Sequence, residues 1–161
     1  MMKKLTMPVL AVLLVFIIAA LASSEEKPWF DMANCDFCKH LLDDPALLDH
    51  TVWEHHNISN GLISVTTVDK EYLPSLRKAS HMMDVEGEKF AKGEPVKMCG
   101  MCQAMGMLMQ KGVKYEVVET QRGSVMLMTS ADPEVVKLIQ DWGKRNIDEL
   151  KKWEETENTE E

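Results

Sequence analysis

Basic residues are few in this chain of 161 residues. Lys and Arg number 18 against 26 Asp and Glu, which gives a formal net charge of −8, and no run of more than two basic residues occurs. A surface that binds nucleic acid or an anionic membrane needs a basic patch. The composition therefore argues against both partners. The hydrophobic fraction of 45% is nevertheless sufficient for a folded core.

Several catalytic signatures are also absent from the sequence. It contains no glycine-rich phosphate loop, no serine-centred nucleophile elbow and no HExxH motif. Attachment of haem requires His directly after the second Cys of a CxxC pair, and Lys39 and Gln103 occupy those positions. We predict no catalytic residues, and the sequence favours a binding protein over an enzyme.

A long apolar run occurs only at the N-terminus. Lys3 and Lys4 precede an unbroken apolar stretch at residues 7–22, and residues 20–22 provide the small residues of a signal-peptidase site. The stretch is shorter than the about 20 residues that span a bilayer. We predict a cleaved signal peptide at residues 1–22 and export to the periplasm or the extracellular space. An uncleaved N-terminal anchor is the alternative.

The four cysteines form two pairs of identical spacing, Cys35-x-x-Cys38 and Cys99-x-x-Cys102. The same predicted order follows each pair: a helix, two strands joined by a tight turn, and a second helix. Asn-Gly between two alternating apolar runs, as at residues 60–61, is a strong hairpin signal. The sequence thus predicts an α+β fold of two tandem helix–strand–strand–helix repeats, packed as a pseudo-twofold pair.

The predicted organisation assigns every part of the chain. The signal peptide precedes an N-terminal segment, the first repeat, a linker, the second repeat and an acidic tail. Their bounds are residues 1–22, 23–34, 35–83, 84–97, 98–150 and 151–161. The predicted strands are residues 51–59, 62–68, 113–120 and 124–129, and the predicted helices are residues 39–50, 74–83, 99–111 and 132–150.

A CxxC pair that enters a helix, followed by two strands and a second helix, resembles the heavy-metal-associated domain, which has a ferredoxin-like βαββαβ fold. Gly112-Val113, the turn at Gly123 and Asp132-Pro133 occupy places where such domains carry similar residues. The resemblance covers most of residues 30–148 and implies a tandem pair of ferredoxin-like, soft-metal-binding units. The chain departs from the family where Ala33 and Lys97 replace the Met that precedes the first Cys by two residues.

Methionines surround the second cysteine pair. Five of them fall within residues 98–109, and no His follows His81, so a metal at this pair would be bound by sulfur alone. Sulfur ligands favour Cu(I). We predict that Met98 and Met101, beside the thiols, join Cys99 and Cys102 as metal ligands, with core packing as the alternative. The five methionines are Met98, Met101, Met105, Met107 and Met109.

The first pair has histidines nearby. His40 lies two residues after Cys38, and we predict that it completes a zinc or copper site with Cys35 and Cys38. His55 and His56 are adjacent on a predicted strand, so their side chains point to opposite faces and at most one can join a given site. A solvated surface role is the alternative for each of these histidines.

The cysteine pairs leave three functions open. The first is soft-metal binding, delivery or buffering, with Cu(I) or Zn(II) as the cofactor and a metal donor or acceptor protein as a further partner. The second is thiol–disulfide exchange, since a CxxC pair at a helix N-terminus has a lowered thiol pKa. The third is a structural or partner-binding module, in which each pair closes as a disulfide or all four cysteines bind one Zn(II). A dimer is compatible with each of them.

Overall fold

The structure is a computed structural model that describes residues 27–157. The predicted signal peptide at residues 1–22 lies outside the described residues, as do residues 158–161 at the end of the predicted tail. Within residues 27–157, no helix combines the length and the apolar composition that crossing a membrane requires.

Among residues 27–157, four strands and three helices follow a short 3-10 helix, and the predicted α+β class is confirmed. The two hairpins enclose two successive helices along the chain, and the third helix follows the second hairpin. The elements are the 3-10 helix Cys38–Leu42, β1 Thr51–Ile58, β2 Gly61–Val68, α1 Leu73–Ala91, α2 Gly100–Gln110, β3 Lys114–Thr120, β4 Gly123–Thr129 and α3 Pro133–Glu157.

Two helices are longer than the sequence analysis predicts. Helix α1 continues through residues 84–91, within the predicted linker, and ends before Gly93, whose φ of 78° is left-handed. Helix α3 continues to Glu157 through most of the predicted tail, where no Pro or Gly interrupts it. The predicted helix at residues 39–50 is instead a 3-10 helix of 5 residues, which ends ahead of Pro45.

The strands form one antiparallel sheet of order β1-β2-β4-β3, an arrangement compatible with a ferredoxin-like fold. The two hairpins meet along the central strands, where Gly61 pairs with Thr129 and Thr67 pairs with Gly123. A Cβ atom at Gly61 would overlap the carbonyl oxygen of Met128, and one at Gly123 would overlap that of Thr66. Glycine at both positions therefore permits the close approach of the two hairpins.

Helices pack on one face of the sheet. Leu62 of β2 and Met128 of β4 are fully buried there in a core cluster with Ile139 of α3. Val68 also lies on β2, at an even spacing from Leu62, and therefore on the same face of the sheet. It belongs to a second cluster with Leu76 of α1. Burial of each such aliphatic side chain contributes about 1.5–3 kcal/mol.

Candidate metal centre

The four cysteines lie together in one cluster. The Sγ atom of Cys38 lies 3.5 Å from that of Cys102 and 3.8 Å from that of Cys99, and Cys35 Sγ lies 3.6 Å from Cys102 Sγ. All four sulfurs lie within 4.8 Å of one another. The structure thus brings the two predicted pairs into a single site, which we name the cysteine cluster.

Hydrogen bonds between the two cysteine-bearing segments hold the pairs against each other. The backbone N–H of Asp36 donates to the carbonyl oxygen of Lys97 at 2.9 Å. In return, the backbone N–H of Lys97 donates to the Asp36 carboxylate at 2.8 Å. Each partner lies within two residues of a cysteine, so this reciprocal contact fixes the distance between the pairs.

The second pair lies at the N-terminus of α2. Cys99 is the N-cap residue, and the next two backbone N–H groups donate to carbonyl oxygens of the N-terminal segment. Gly100 bonds to Pro28 at 3.0 Å and Met101 bonds to Trp29 at 3.0 Å. These two bonds hold the start of α2, and with it the second cysteine pair, against the N-terminal segment.

Side chains of helix α3 contact that N-terminal segment. The indole N–H of Trp29 donates to Asn146 Oδ1 at 2.8 Å, and the Arg145 guanidinium lies 4.0 Å from the centre of the Trp29 ring. The indole N–H of Trp142 donates to the Met101 carbonyl oxygen at 3.4 Å. Side chains of α3 thus hold Trp29 and Met101, whose backbones are hydrogen-bonded to each other close to Cys99.

The spacing of the sulfurs fits one tetrahedral metal ion. Four sulfurs bound at about 2.3 Å in a tetrahedron are about 3.8 Å apart. Three of the sulfur–sulfur distances between the two pairs are 3.5–3.8 Å, and all six distances in the cluster are within 4.8 Å. A disulfide would require about 2.05 Å, and all four cysteines are free. The arrangement can therefore hold a metal ion without a large movement of the chain.

The pKa values of the thiols differ by position within each pair. Hydrogen bonding with Cys102 lowers the pKa of Cys35 well below its usual value and that of Cys99 to about 6. Hydrogen bonding with Cys102 raises the pKa of Cys38. Hydrogen bonding with Cys35 raises the pKa of Cys102. Negative charge is thus favoured on the first cysteine of each pair, and a proton is retained on the second.

The cluster is largely closed to solvent. Cys35, Cys38 and Cys99 are 0%, 3% and 3% exposed, and Cys102 is half-buried. Three partly buried hydrophobic side chains surround it. They are Met32, Phe37 and Met101.

The other predicted ligands lie in different surroundings. Met101 packs against the cysteines. Met98 is half-buried and, among the described residues, is not one of the hydrophobic side chains that pack there. His40 is 9% exposed, and its Nε2 atom lies 3.9 Å from Glu86 Oε1 without a hydrogen-bond partner. The group of possible ligand atoms within 4.8 Å of one another consists of the four cysteine sulfurs and does not include His40. The roles of Met98, Met101 and His40 as ligands stay predictions.

Met32, Trp29 and Asn146 belong to this site although no sequence pattern predicted them. Met32 contacts the cluster but lies outside both the CxxC pairs and the methionine-rich helix, so no spacing pattern identifies it. Asn146 accepts from Trp29 and donates to His55 Nε2 at 3.2 Å. An isolated Asn on a helix gives no local signal of such a contact.

Comparison with family models, curated proteins and solved structures finds no significant match to this chain. The cysteine cluster itself is therefore the basis for a functional assignment.

Proposed function

We propose that this chain is an exported protein that binds one soft metal ion in the cysteine cluster, with Zn(II) as the first candidate and Cu(I) as the second. The observation that carries the proposal is the convergence of four sulfurs within 4.8 Å. A lone CxxC pair provides two ligands, whereas two converging pairs provide a complete tetrahedral set. Zn(II), when bound, would supply a redox-inert link between the two cysteine-bearing segments.

The geometry of the cluster supports Zn(II) over Cu(I). A tetrahedral set of four sulfurs is typical of zinc and of iron–sulfur sites. The thioethers of Met32 and Met101 beside the cysteines are the feature that keeps Cu(I) as a candidate, since copper(I) also accepts thioether ligands. Methionine packing alone explains the same contacts, because Met fills irregular gaps in a core.

Burial of the cluster supports retention of the metal, and Cys102 supports its exchange. The three buried cysteines are shielded from competing ligands, whereas Cys102 is half-buried. Transfer to an acceptor protein proceeds by replacement of one ligand at a time, so the most exposed cysteine is where an acceptor thiol would enter. We assign the protein to metal binding with buffering or delivery through Cys102.

Elemental analysis of the protein purified under argon from its export compartment tests this proposal. One equivalent of zinc, or of copper, with protected thiols is the expected result. Iron at one equivalent would contradict the assignment of the ion. Metal-free protein that takes up neither ion after reduction would contradict metal binding itself. The variant Met107→Leu should contain the same amount of metal as the wild type, because Met107 is 57% exposed on the helix that carries Cys102.

Thiol–disulfide exchange is the second candidate, and the pKa pattern of the cluster favours it. Cys99 has a pKa lowered to about 6, and a thiolate near a second sulfur is the attacking species in exchange. Cys38 Sγ lies 3.5 Å from Cys102 Sγ, so a disulfide there would join the two pairs. Reductase activity that is lost in Cys99→Ser, in protein that binds no metal, would support this candidate over the first.

The two halves of the chain also support the predicted duplication, which we retain as a proposal. Adding 62 to the number of each β2 residue gives its β4 counterpart, so that Gly61 corresponds to Gly123. In the antiparallel register, Ser64 pairs with its own counterpart Met126. The pairs on either side of it are exchanged by the same relation, as a twofold axis through this pair requires. Each proposed repeat then contributes one hairpin to one shared sheet. The same pseudo-twofold symmetry would relate the two cysteine pairs. This arrangement would make the chain one ferredoxin-like unit with internal symmetry.

A further inference from the structure

The face of the sheet opposite the helices carries an apolar surface. Residues alternate between the two faces of a strand, so the neighbours of the buried Leu62 and Met128 point away from the helices. Aliphatic side chains on this side of the four strands are partly or largely exposed, with Val52 at 57% and Val118 at 54%. We name this surface the open face, and its apolar residues are Val52, Ile63, Val65, Val118, Val125 and Leu127.

The strand register places the apolar residues of the open face in one block. Ile63 pairs directly with Leu127, and Val65 pairs directly with Val125, across the two central strands. Val118 extends the second row, since it pairs with Val125 on the edge strand β3. A sheet face exposed to water ordinarily carries polar residues at such positions. Four adjacent aliphatic side chains at the centre of the sheet indicate a surface that is covered in the assembled protein.

Polar side chains border this block at the outer strands. Glu54 and His56 lie on β1, next to Val65 and Ile63 respectively. Glu116 lies on β3, next to Leu127. His56 is 60% exposed at its side chain, and its Nε2 atom lies 4.0 Å from Glu54 Oε1. The open face thus has an apolar centre and a polar border, as interfaces between proteins do.

We propose that the open face binds a second copy of this chain, sheet against sheet, around a twofold axis. Two aligned stackings are possible. An axis parallel to the strands places β1 opposite the partner's β3, which brings His56 opposite the partner's Glu116. An axis across the strands places β1 opposite the partner's β1, which brings His56 opposite the partner's Glu54. In both stackings the aliphatic block meets its own copy, and each imidazole meets a carboxylate.

The size of the open face suits a dimer that dissociates readily. Four strands about 4.8 Å apart and about seven residues long, at about 3.3 Å per residue, present about 450 Å² of flat surface per copy. The total of roughly 900 Å², before the relief of the side chains is counted, lies close to the about 1,000 Å² of a specific interface. Sheets that stack in this way cross at about 30°.

Sedimentation equilibrium of the full-length chain between about 1 µM and 1 mM tests the proposal. A concentration-dependent monomer–dimer equilibrium is expected, and the double variant Val65→Glu with Val125→Glu should weaken it at least a hundredfold by facing four carboxylates against one another. Circular dichroism and thiol content establish whether the variant is folded. A wild-type chain that remains monomeric up to 1 mM would overturn the proposal.

Two milder variants test the same surface without a charge at its centre. His56→Glu, on an exposed side chain, should weaken the dimer severalfold, because a carboxylate then meets the partner's carboxylate, whereas His56→Lys should preserve it. Met107→Glu, on the exposed side of α2, is the control and should leave the equilibrium unchanged. Association that is insensitive to both His56→Glu and the double variant would assign it to another surface, residues 1–26 included, and would contradict the proposal. Loss of metal alone leaves the predicted equilibrium in place.

Discussion

The Sγ atoms of Cys38 and Cys102 lie 3.5 Å apart, although the two residues are 64 positions apart in the chain. Each is the second cysteine of its pair, and each has a raised thiol pKa. Only the thiolate is a metal ligand, so these two positions must lose their protons when a metal binds. Metal binding by the cluster is thereby coupled to the release of protons from Cys38 and Cys102.

The stoichiometry of binding distinguishes one shared site from two separate sites. One equivalent of Zn(II) per chain is expected, because the four sulfurs form a single group within 4.8 Å. Cys99→Ser with Cys102→Ser should then abolish tight binding by the whole chain, including binding at Cys35 and Cys38. Titration against a chromophoric chelator measures both results. Retention of one tight equivalent in the double variant would instead indicate an independent first site.

The affinity for Zn(II) should fall steeply as the pH decreases. Displacement of two protons, from Cys38 and Cys102, predicts a loss of about a hundredfold per pH unit near neutrality. The loss should become steeper below the Cys99 pKa of about 6, where a third thiol must also be deprotonated. Competition titrations at several pH values measure the slope, and calorimetry in buffers of different ionisation enthalpy counts the released protons. A pH-independent affinity would contradict the assigned thiol states.

The hairpins were predictable because their signals are local. Asn60-Gly61 between alternating apolar runs predicted the first turn, and β1 and β2 begin and end within two residues of the predicted bounds. Asp132-Pro133 predicted the start of α3, where the Asp132 carboxylate accepts from the backbone N–H of Glu134 at 2.8 Å. Both signals depend on the backbone preferences of a few adjacent residues.

The meeting of the two cysteine pairs was predictable only as one alternative among several. Spacing identifies each pair, but the distance between the pairs depends on the contact between Asp36 and Lys97 and on the support of Trp29 by Asn146. These contacts join residues 61 and 117 positions apart. No local pattern encodes such contacts, so the sequence left one zinc site and two separate sites both open.

Acidification should weaken the fold through His55 in addition to its effect on metal binding. Burial lowers the pKa of His55 below 6.5, and its Nδ1 and Nε2 atoms lie 3.0 Å from the Glu54 carbonyl oxygen and 3.2 Å from Asn146 Nδ2. The unfolded chain thus binds a proton more readily than the folded chain. The contribution to stability is complete above pH 6.5 and is lost as the pH falls from there towards the folded pKa.

Urea denaturation of His55→Gln at several pH values checks this effect. The variant should be less stable than the wild type at pH 7.5, and the difference should shrink as the pH falls to 5, because Gln does not titrate. His50→Gln is the control for loss of an imidazole elsewhere, since His50 is half-buried and its Nδ1 atom lies 2.8 Å from Asp69 Oδ2. A wild-type stability with the same pH slope as His55→Gln would contradict the prediction.

The close pairing of the two hairpins can be tested at its glycines. Gly61→Ala and Gly123→Ala should each cost about 1–3 kcal/mol of unfolding free energy, because the added Cβ overlaps a carbonyl oxygen of the facing central strand. Gly87→Ala is the matched control within α1, where the nearest atom to an added Cβ is Phe37 Cε1 at 4.0 Å.

That control should instead stabilise the protein by about 0.5–1 kcal/mol, since Ala replaces Gly inside a helix with space for the methyl group. Urea denaturation of the three variants measures the opposite signs. A neutral Gly61→Ala variant would show that β2 and β4 can separate without loss of stability. The cysteine cluster should persist in Gly87→Ala, so this variant should still bind one equivalent of Zn(II) in the titration described above. Stability and metal binding are then compared in the same set of proteins.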